Sequence, residues 1–250
     1  MRGTAPARAG VRLLGALVVL GVVLSACGGG DKPDLTGSEA VSFPSRDGVA
    51  LEGRLFGHGT SAVVLSHMLP ADQRSWFDLA GRLADQGYLV LTYDFRGYCP
   101  GGEGGCSGGE RDVAAIWQDV LGAVDLVRSR GATTVVLIGA SMGGTASLVA
   151  AGQEGVDVEA VITLSAPTSI EGLTADAPLL QRLSSGKLFV AGVGDGSAAA
   201  AAEELYAISP PPKRVEIVPA DDHGTDLLSG AQAEVVKRLI EVTLSQYAPL

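Results

Sequence analysis

A serine hydroxyl attacks a carbonyl carbon only when a base takes its proton, so the residues of first interest are serines with such help within reach. Gly139-Ala140-Ser141-Met142-Gly143-Gly144 follows the apolar run from Thr133 to Ile138 and leads into the helix-forming stretch Thr145 to Ala151. The G-x-S-x-G spacing places the serine at a cramped turn, where flanking glycines keep side chains clear of the strand and helix. The hydroxyl then lies over a helix N-terminus, where free N–H groups favour developing negative charge. Three histidines could serve as the base. His58 precedes a strand, His67 follows the strand that ends at Ser66, and His223 follows the last strand in Pro219-Ala-Asp-Asp-His223-Gly224. A base of this kind needs a carboxylate to fix its tautomer. Asp195 closes the run Leu188 to Gly194, and Asp221 and Asp222 adjoin His223. A neighbour's side chain rarely curls back onto the adjacent imidazole, and Asp195 stands just past a strand, so Asp195 is preferred. No His/Cys/carboxylate cluster has metal-ligand spacing, and neither metal nor cofactor is expected.

Two periodicities alternate along the chain and must position these groups. Val41–Phe43 and Val49–Leu55 flank Asp47-Gly48 and read as a hairpin. Apolar runs at 62–66, 88–94, 133–138, 158–164, 187–193 and 214–218 read as strands. Segments 72–86, 110–130, 197–208 and 225–247 carry helical spacing. Strands that are apolar throughout and alternate with helices imply an α/β fold, a mostly parallel central sheet with helices on both faces. Reactive groups on such a sheet sit just past the C-terminal strand ends, which retains Ser141, Asp195, His223 and His67 and sets His58 aside as a surface loop residue.

The chain of 250 residues is 46% hydrophobic and 18% charged, with net charge −10. That excludes bulk disorder and argues against nucleic acid as a partner. The 35 glycines show no G-X-Y period, so a collagen-like chain is excluded. Arg2, Arg8 and Arg12, the apolar run from Leu13 to Leu24, and Leu24-Ser25-Ala26-Cys27 describe an export signal. This spelling resembles the bacterial lipoprotein signal. The resemblance implies removal of residues 1–26 and lipidation of Cys27, leaving the protein anchored in the cell membrane at its extracytoplasmic face. An uncleaved anchor helix is the alternative, although the strongly apolar part is short of the ~20 residues that span a bilayer. Loss of the signal removes three arginines and no acid, taking the net charge to −13, so the lipid rather than the folded surface would hold the protein at an anionic membrane. Residues 27–39 read as a flexible tether and 40–250 as one domain. Cys99 and Cys106 flank Pro-Gly-Gly-Glu-Gly-Gly, and in an exported protein they are expected to form a disulfide.

From residue 40 to the C-terminus, the order Ser141, Asp195, His223 resembles the α/β-hydrolase superfamily. The elbow is similar to that of its esterase, lipase and small serine-peptidase-like branches, and the chain as a whole resembles the esterase, dienelactone-hydrolase-like or small serine-peptidase-like branch. Asp94-Phe95-Arg96-Gly97-Tyr98 is similar to the D-x-R-G-x-G stretch of many members, which implies a bracing role for Asp94 and Arg96. The resemblance implies an oxyanion hole from the Met142 N–H and a second donor in Ser66-His67-Met68-Leu69. Alignment to the usual H-G-x pattern selects Leu69, with Met68 next; a methionine stands where glycine is common. His67 is expected to pack the loop. About twenty residues separate Pro167 from Lys187, too few for a lid domain, so an open cleft with Leu69, Trp76, Met142, Leu173 and Leu179 as apolar walls is expected. The reading is an exported, lipid-anchored, monomeric serine hydrolase. It would cleave small carboxylic esters or thioesters through an acyl-enzyme. A serine peptidase on the same fold and a non-catalytic binding lipoprotein are the alternatives.

Overall fold

Runs apolar at every position suit strands covered on both faces, and in the computed structural model they form the middle of one sheet. The structure describes residues 1–4, 35–99 and 105–250; the apolar leader, Cys27 and most of the tether lie outside the described residues. Among the described residues no helix is long and apolar enough to cross a membrane. The described residues from 35 onward form one compact unit, with strands β1 (Glu39–Pro44), β2 (Ala50–Phe56), β3 (Ser61–Ser66), β4 (Leu89–Tyr93), β5 (Thr134–Ala140), β6 (Ala160–Leu164), β9 (Gly186–Gly192) and β10 (Lys213–Val218) in its main sheet. Their order is β1-β2-β4-β3-β5-β6-β9-β10. β2 pairs antiparallel with β1 and β4, and every other pairing is parallel. Successive side chains face opposite sides of the sheet. Val64 and Leu137 therefore enter the core under the helices α2 (Trp117–Ser129), α3 (Met142–Ala151) and α5 (Ala198–Ile208). Val63, Leu65, Val136 and Ile138 enter the core under α1 (Phe77–Asp85) and α6 (Ala233–Tyr247).

Three expected helices begin differently from their periodicity. Segment 72–86 opens as a 3-10 turn over Gln73–Trp76, capped by the Asp72 side chain, and only then becomes α1. Segment 110–130 likewise opens as a 3-10 turn over Val113–Ala115, capped by Asp112. The closing helix is broken: Gly224–Leu228 is a 3-10 turn, and α6 starts at Ala233. Ser229 and Gly230 both donate to the Asp226 carbonyl and end the first piece. Between Pro167 and Lys187 lie a two-stranded ribbon, β7 (Ser169–Ile170) and β8 (Leu173–Thr174), and the short helix α4 (Ala177–Leu180). No lid domain stands there. Cys99 and Cys106 sit with their sulfurs within bonding distance and their Cα atoms 4.1 Å apart.

Candidate active site

Ser141 stands between β5 and α3 with φ 47° and ψ −118°, a conformation L-residues rarely adopt. Neighbouring bonds hold it there. Its N–H donates to Leu164 O at 2.8 Å, and its carbonyl accepts from the Gly144 and Thr145 N–H groups at 2.9 and 3.2 Å. Close approach fixes the glycine at 143. A Cβ there would lie 2.5 Å from the His67 carbonyl oxygen and nearer still to that of Ser66. The start of α3 thus presses directly on the end of β3.

Asp195 follows β9 and His223 follows β10, and crossed bonds between the two loops bring them together. Val193 N–H donates to Val218 O and Gly194 N–H to Ala220 O, each at 2.9 Å. His223 Nδ1–H meets both Asp195 carboxylate oxygens at 2.9 Å. Donation from Nδ1 leaves Nε2 with its lone pair, the tautomer a base requires. Neither Asp221 nor Asp222 bonds the imidazole. On its other side the His223 loop is tied down by Gly224 N–H, which donates to Ser165 Oγ at 3.0 Å. Ser141, Asp195 and His223 line one cavity of about 270 Å³ with Ser165, Pro167 and the first turn of α5. Ser141 and His223 share that cavity without a hydrogen bond between them, as is common before substrate tightens such a site.

Met142 opens α3, so its N–H has no partner within the helix. The N–H groups of Met68 and Leu69 likewise have no acceptor among the described residues. The loop carrying them is fastened through His67, which is fully buried. His67 Nε2 accepts from Phe95 N–H at 3.1 Å, which requires the hydrogen on Nδ1; that nitrogen donates to Met68 O at 3.0 Å. Its ring packs 4.8 Å from Phe95 and 4.5 Å from Tyr98. Burial pushes its pKa down to about 4, so it is a neutral clamp between the ends of β3 and β4. His58 is exposed at the opposite end of β3.

Asp94 and Arg96 lie beside this clamp. Asp94 is buried, accepts from Gln73 N–H at 2.9 Å and from Gln73 Nε2–H at 2.6 Å, and burial pushes its pKa up to about 6. Arg96 forks onto Asp119 and Asp47, with Nη2–O distances of 2.6 and 2.7 Å, and the guanidinium holds the Asp47 carboxyl down at about 2. The apolar walls differ from expectation. Trp76, Met142 and Leu173 are buried in the two cores, Leu179 packs against one of them, and Leu69 is half-buried without lining this cavity. A residue that sequence reasoning missed is Ser165: a serine in a strand-end loop carries no pattern, yet it has φ 56° and anchors the His223 loop. Among the described residues no group of His, Cys, Asp and Glu could hold a metal ion.

The family described as serine aminopeptidase, S33, matches residues 57–223, a span from the loop before β3 to His223 itself. The chain belongs to this family of serine hydrolases. Among curated proteins none matches the sequence. This hydrolase is similar in fold to an esterase from Pyrococcus furiosus, with TM-score 0.68 at 17% identity over 84% of this chain and 91% of that one. It is similar also to a dienelactone hydrolase from Anabaena variabilis, with TM-score 0.67 at 21% identity over 84% and 99%. An enol-lactonase from Burkholderia xenovorans shares the fold at TM-score 0.64 and 18% identity over 81% and 99%. These likenesses place the hydrolase in the α/β-hydrolase fold.

Proposed function

We propose that this chain is a carboxylesterase, exported and lipid-anchored through Cys27, in which Ser141, His223 and Asp195 act as a catalytic triad. One observation carries the reading: the strained Ser141 turn and the His223–Asp195 pair open onto a single cavity. Ser141 Oγ attacks the ester carbonyl while His223 Nε2 takes its proton. The carbonyl oxygen becomes an oxyanion held by the Met142 N–H and that of Leu69 or Met68. His223 then gives the proton to the leaving alkoxide, and the acyl–oxygen bond breaks. Water repeats the sequence on the acyl-enzyme, releasing the acid and restoring Ser141. Asp195 keeps the imidazole in the tautomer with Nε2 free and stabilises the imidazolium. A site without a lid suits small, soluble esters or thioesters.

The test is labelling with a fluorophosphonate, which traps an activated serine. Labelling of the native protein that disappears in Ser141→Ala supports the reading, and a native protein that does not label overturns it. The family's own description favours a peptidase as the second reading. A panel of p-nitrophenyl esters and aminoacyl p-nitroanilides separates the two, because the esterase reading requires ester turnover to exceed anilide turnover. Globomycin, which blocks lipoprotein signal cleavage, tests the anchor: the precursor should accumulate, and Cys27→Ser should leave the protein unlipidated.

A further inference from the structure

The sheet order separates the two sides of Ser141. β5, which carries the serine, lies between β3 on one side and β6, β9 and β10 on the other. Of the two proposed oxyanion donors, the Met142 N–H stands at the start of α3, and the second, from Leu69 or Met68, lies past the end of β3. The 270 Å³ cavity lies on the opposite side, where Ser165 and Pro167 follow β6, Asp195 follows β9 and His223 follows β10. An imidazole that hands its proton to a leaving oxygen must have that oxygen next to it. The group attached to that oxygen then occupies the space adjoining the imidazole.

The cavity's lining says what kind of group that is. Ser165 is 1% exposed, and its Oγ accepts the Gly224 N–H. A hydroxyl also carries one hydrogen to donate, and that of Ser165 has no acceptor among the described residues. A buried donor left unmatched is costly, and here it borders an accessible cavity. A second hydroxyl, Ser197, caps α5 without a side-chain bond. The apolar side chains of the lining, Pro167, Ala198 and Ala201, are all small. Ala201 N–H donates to Ser197 O at 3.0 Å, which puts Ala201 in the first turn of α5.

We propose that this cavity is the subsite for the leaving alcohol, and that the Ser165 hydroxyl selects alcohols bearing a further hydroxyl or ether oxygen, such as short polyols, over plain alkyl alcohols. The assignment rests on the esterase reading above. Ser165 is a binding residue through its hydrogen and a positioning residue through its oxygen, and Ala201 limits the size of the alcohol.

The test uses two esters with the same acyl group and the same number of heavy atoms, 2-hydroxyethyl butyrate and propyl butyrate. The wild-type ratio of their kcat/KM values should favour the hydroxyethyl ester, and Ser165→Ala should reduce that ratio by about fivefold, the worth of one neutral hydrogen bond. Any disturbance of the His223 loop from the lost Gly224 acceptor scales both esters alike and drops out of the ratio. In Ala201→Leu the loss of kcat/KM should grow from methyl to propyl butyrate, and should not grow from methyl acetate to methyl butyrate. An unchanged ratio in Ser165→Ala, or an Ala201→Leu loss that follows acyl length, overturns the subsite while leaving the esterase reading standing. A wild-type protein inert to both esters overturns the esterase reading and the subsite with it.

Discussion

Replacing Asp94 with Asn should make the protein much more sensitive to acid, although Asp94 is outside the proposed triad. Two buried groups at neighbouring strand ends titrate in the same pH range with opposite effect. Burial holds the pKa of His67 at about 4 against an ordinary 6.5. Between those values the unfolded chain binds a proton that the folded chain refuses, so stability is lost as pH falls from 6.5 towards 4. Burial raises the pKa of Asp94 to about 6 against an ordinary 3.8. Between those values the folded chain binds a proton that the unfolded chain does not, so stability is gained as pH falls from 6 towards 3.8. Each proton changes stability by about 1.4 kcal/mol per pH unit, so the two effects nearly cancel in the native protein. Asp94→Asn removes only the compensating one. Its amide also meets the Gln73 Nε2–H donor, a cost that is the same at every pH and does not alter the slope. Relative to wild type, Asp94→Asn should therefore lose about 3 kcal/mol more stability between pH 7 and pH 4. Urea unfolding followed by circular dichroism at half-unit pH steps measures this directly. Profiles that stay parallel to within about 0.5 kcal/mol would refute the argument, because they would mean that Asp94 is ionised throughout this range.

Asp195→Asn should lower kcat by roughly 10³- to 10⁴-fold with little change in KM, since the amide can donate to Nδ1 and so invert the tautomer. Steady-state ester hydrolysis reads this, and a loss below tenfold would remove Asp195 from the triad. Gly143→Ala should destabilise the fold by more than about 3 kcal/mol, because its Cβ meets two backbone carbonyls that cannot move independently. Gly81→Ala, on α1 with open space around it, should instead stabilise by about 0.5–1 kcal/mol. Thermal melts of the two variants moving in the same direction would contradict the packing described for the β3–α3 contact.

The parts legible in the sequence were those set by a local repeat or a strict steric demand. The central strands showed themselves because they are covered on both faces, β1 and β2 by the turn between alternating runs, and Ser141 because a strained turn between strand and helix needs small neighbours. Asp195 was separable from Asp221 and Asp222 by its strand-end position and because an adjacent side chain rarely curls back onto its neighbour's imidazole. The cavity walls were not legible. Trp76 and Leu173 have the composition of a substrate pocket, but whether a large apolar side chain turns into a core or towards a cleft depends on the elements packed over it. Arg96 was marked by its resemblance to the D-x-R-G-x-G stretch, but its partners Asp47 and Asp119 come from two other segments, and no spacing announces the pairing. Ser165 was hidden because its role depends on Gly224, 59 residues away. The break before α6 was missed because 225–247 keeps helical periodicity while Ser229 and Gly230 turn the chain.

Among the described residues no strand pairs beyond β1 or β10, and each margin is a row of peptide groups that another chain could extend. β10 meets that hazard with Lys213, Arg214 and Glu216 spaced along it, and β1 with Glu39 at its start and Pro44 at its end. A strand docking from outside would have to bury those charges or forgo a bond at the proline. Copies of the enzyme brought close together would therefore meet without fusing edge to edge into a continuous ribbon.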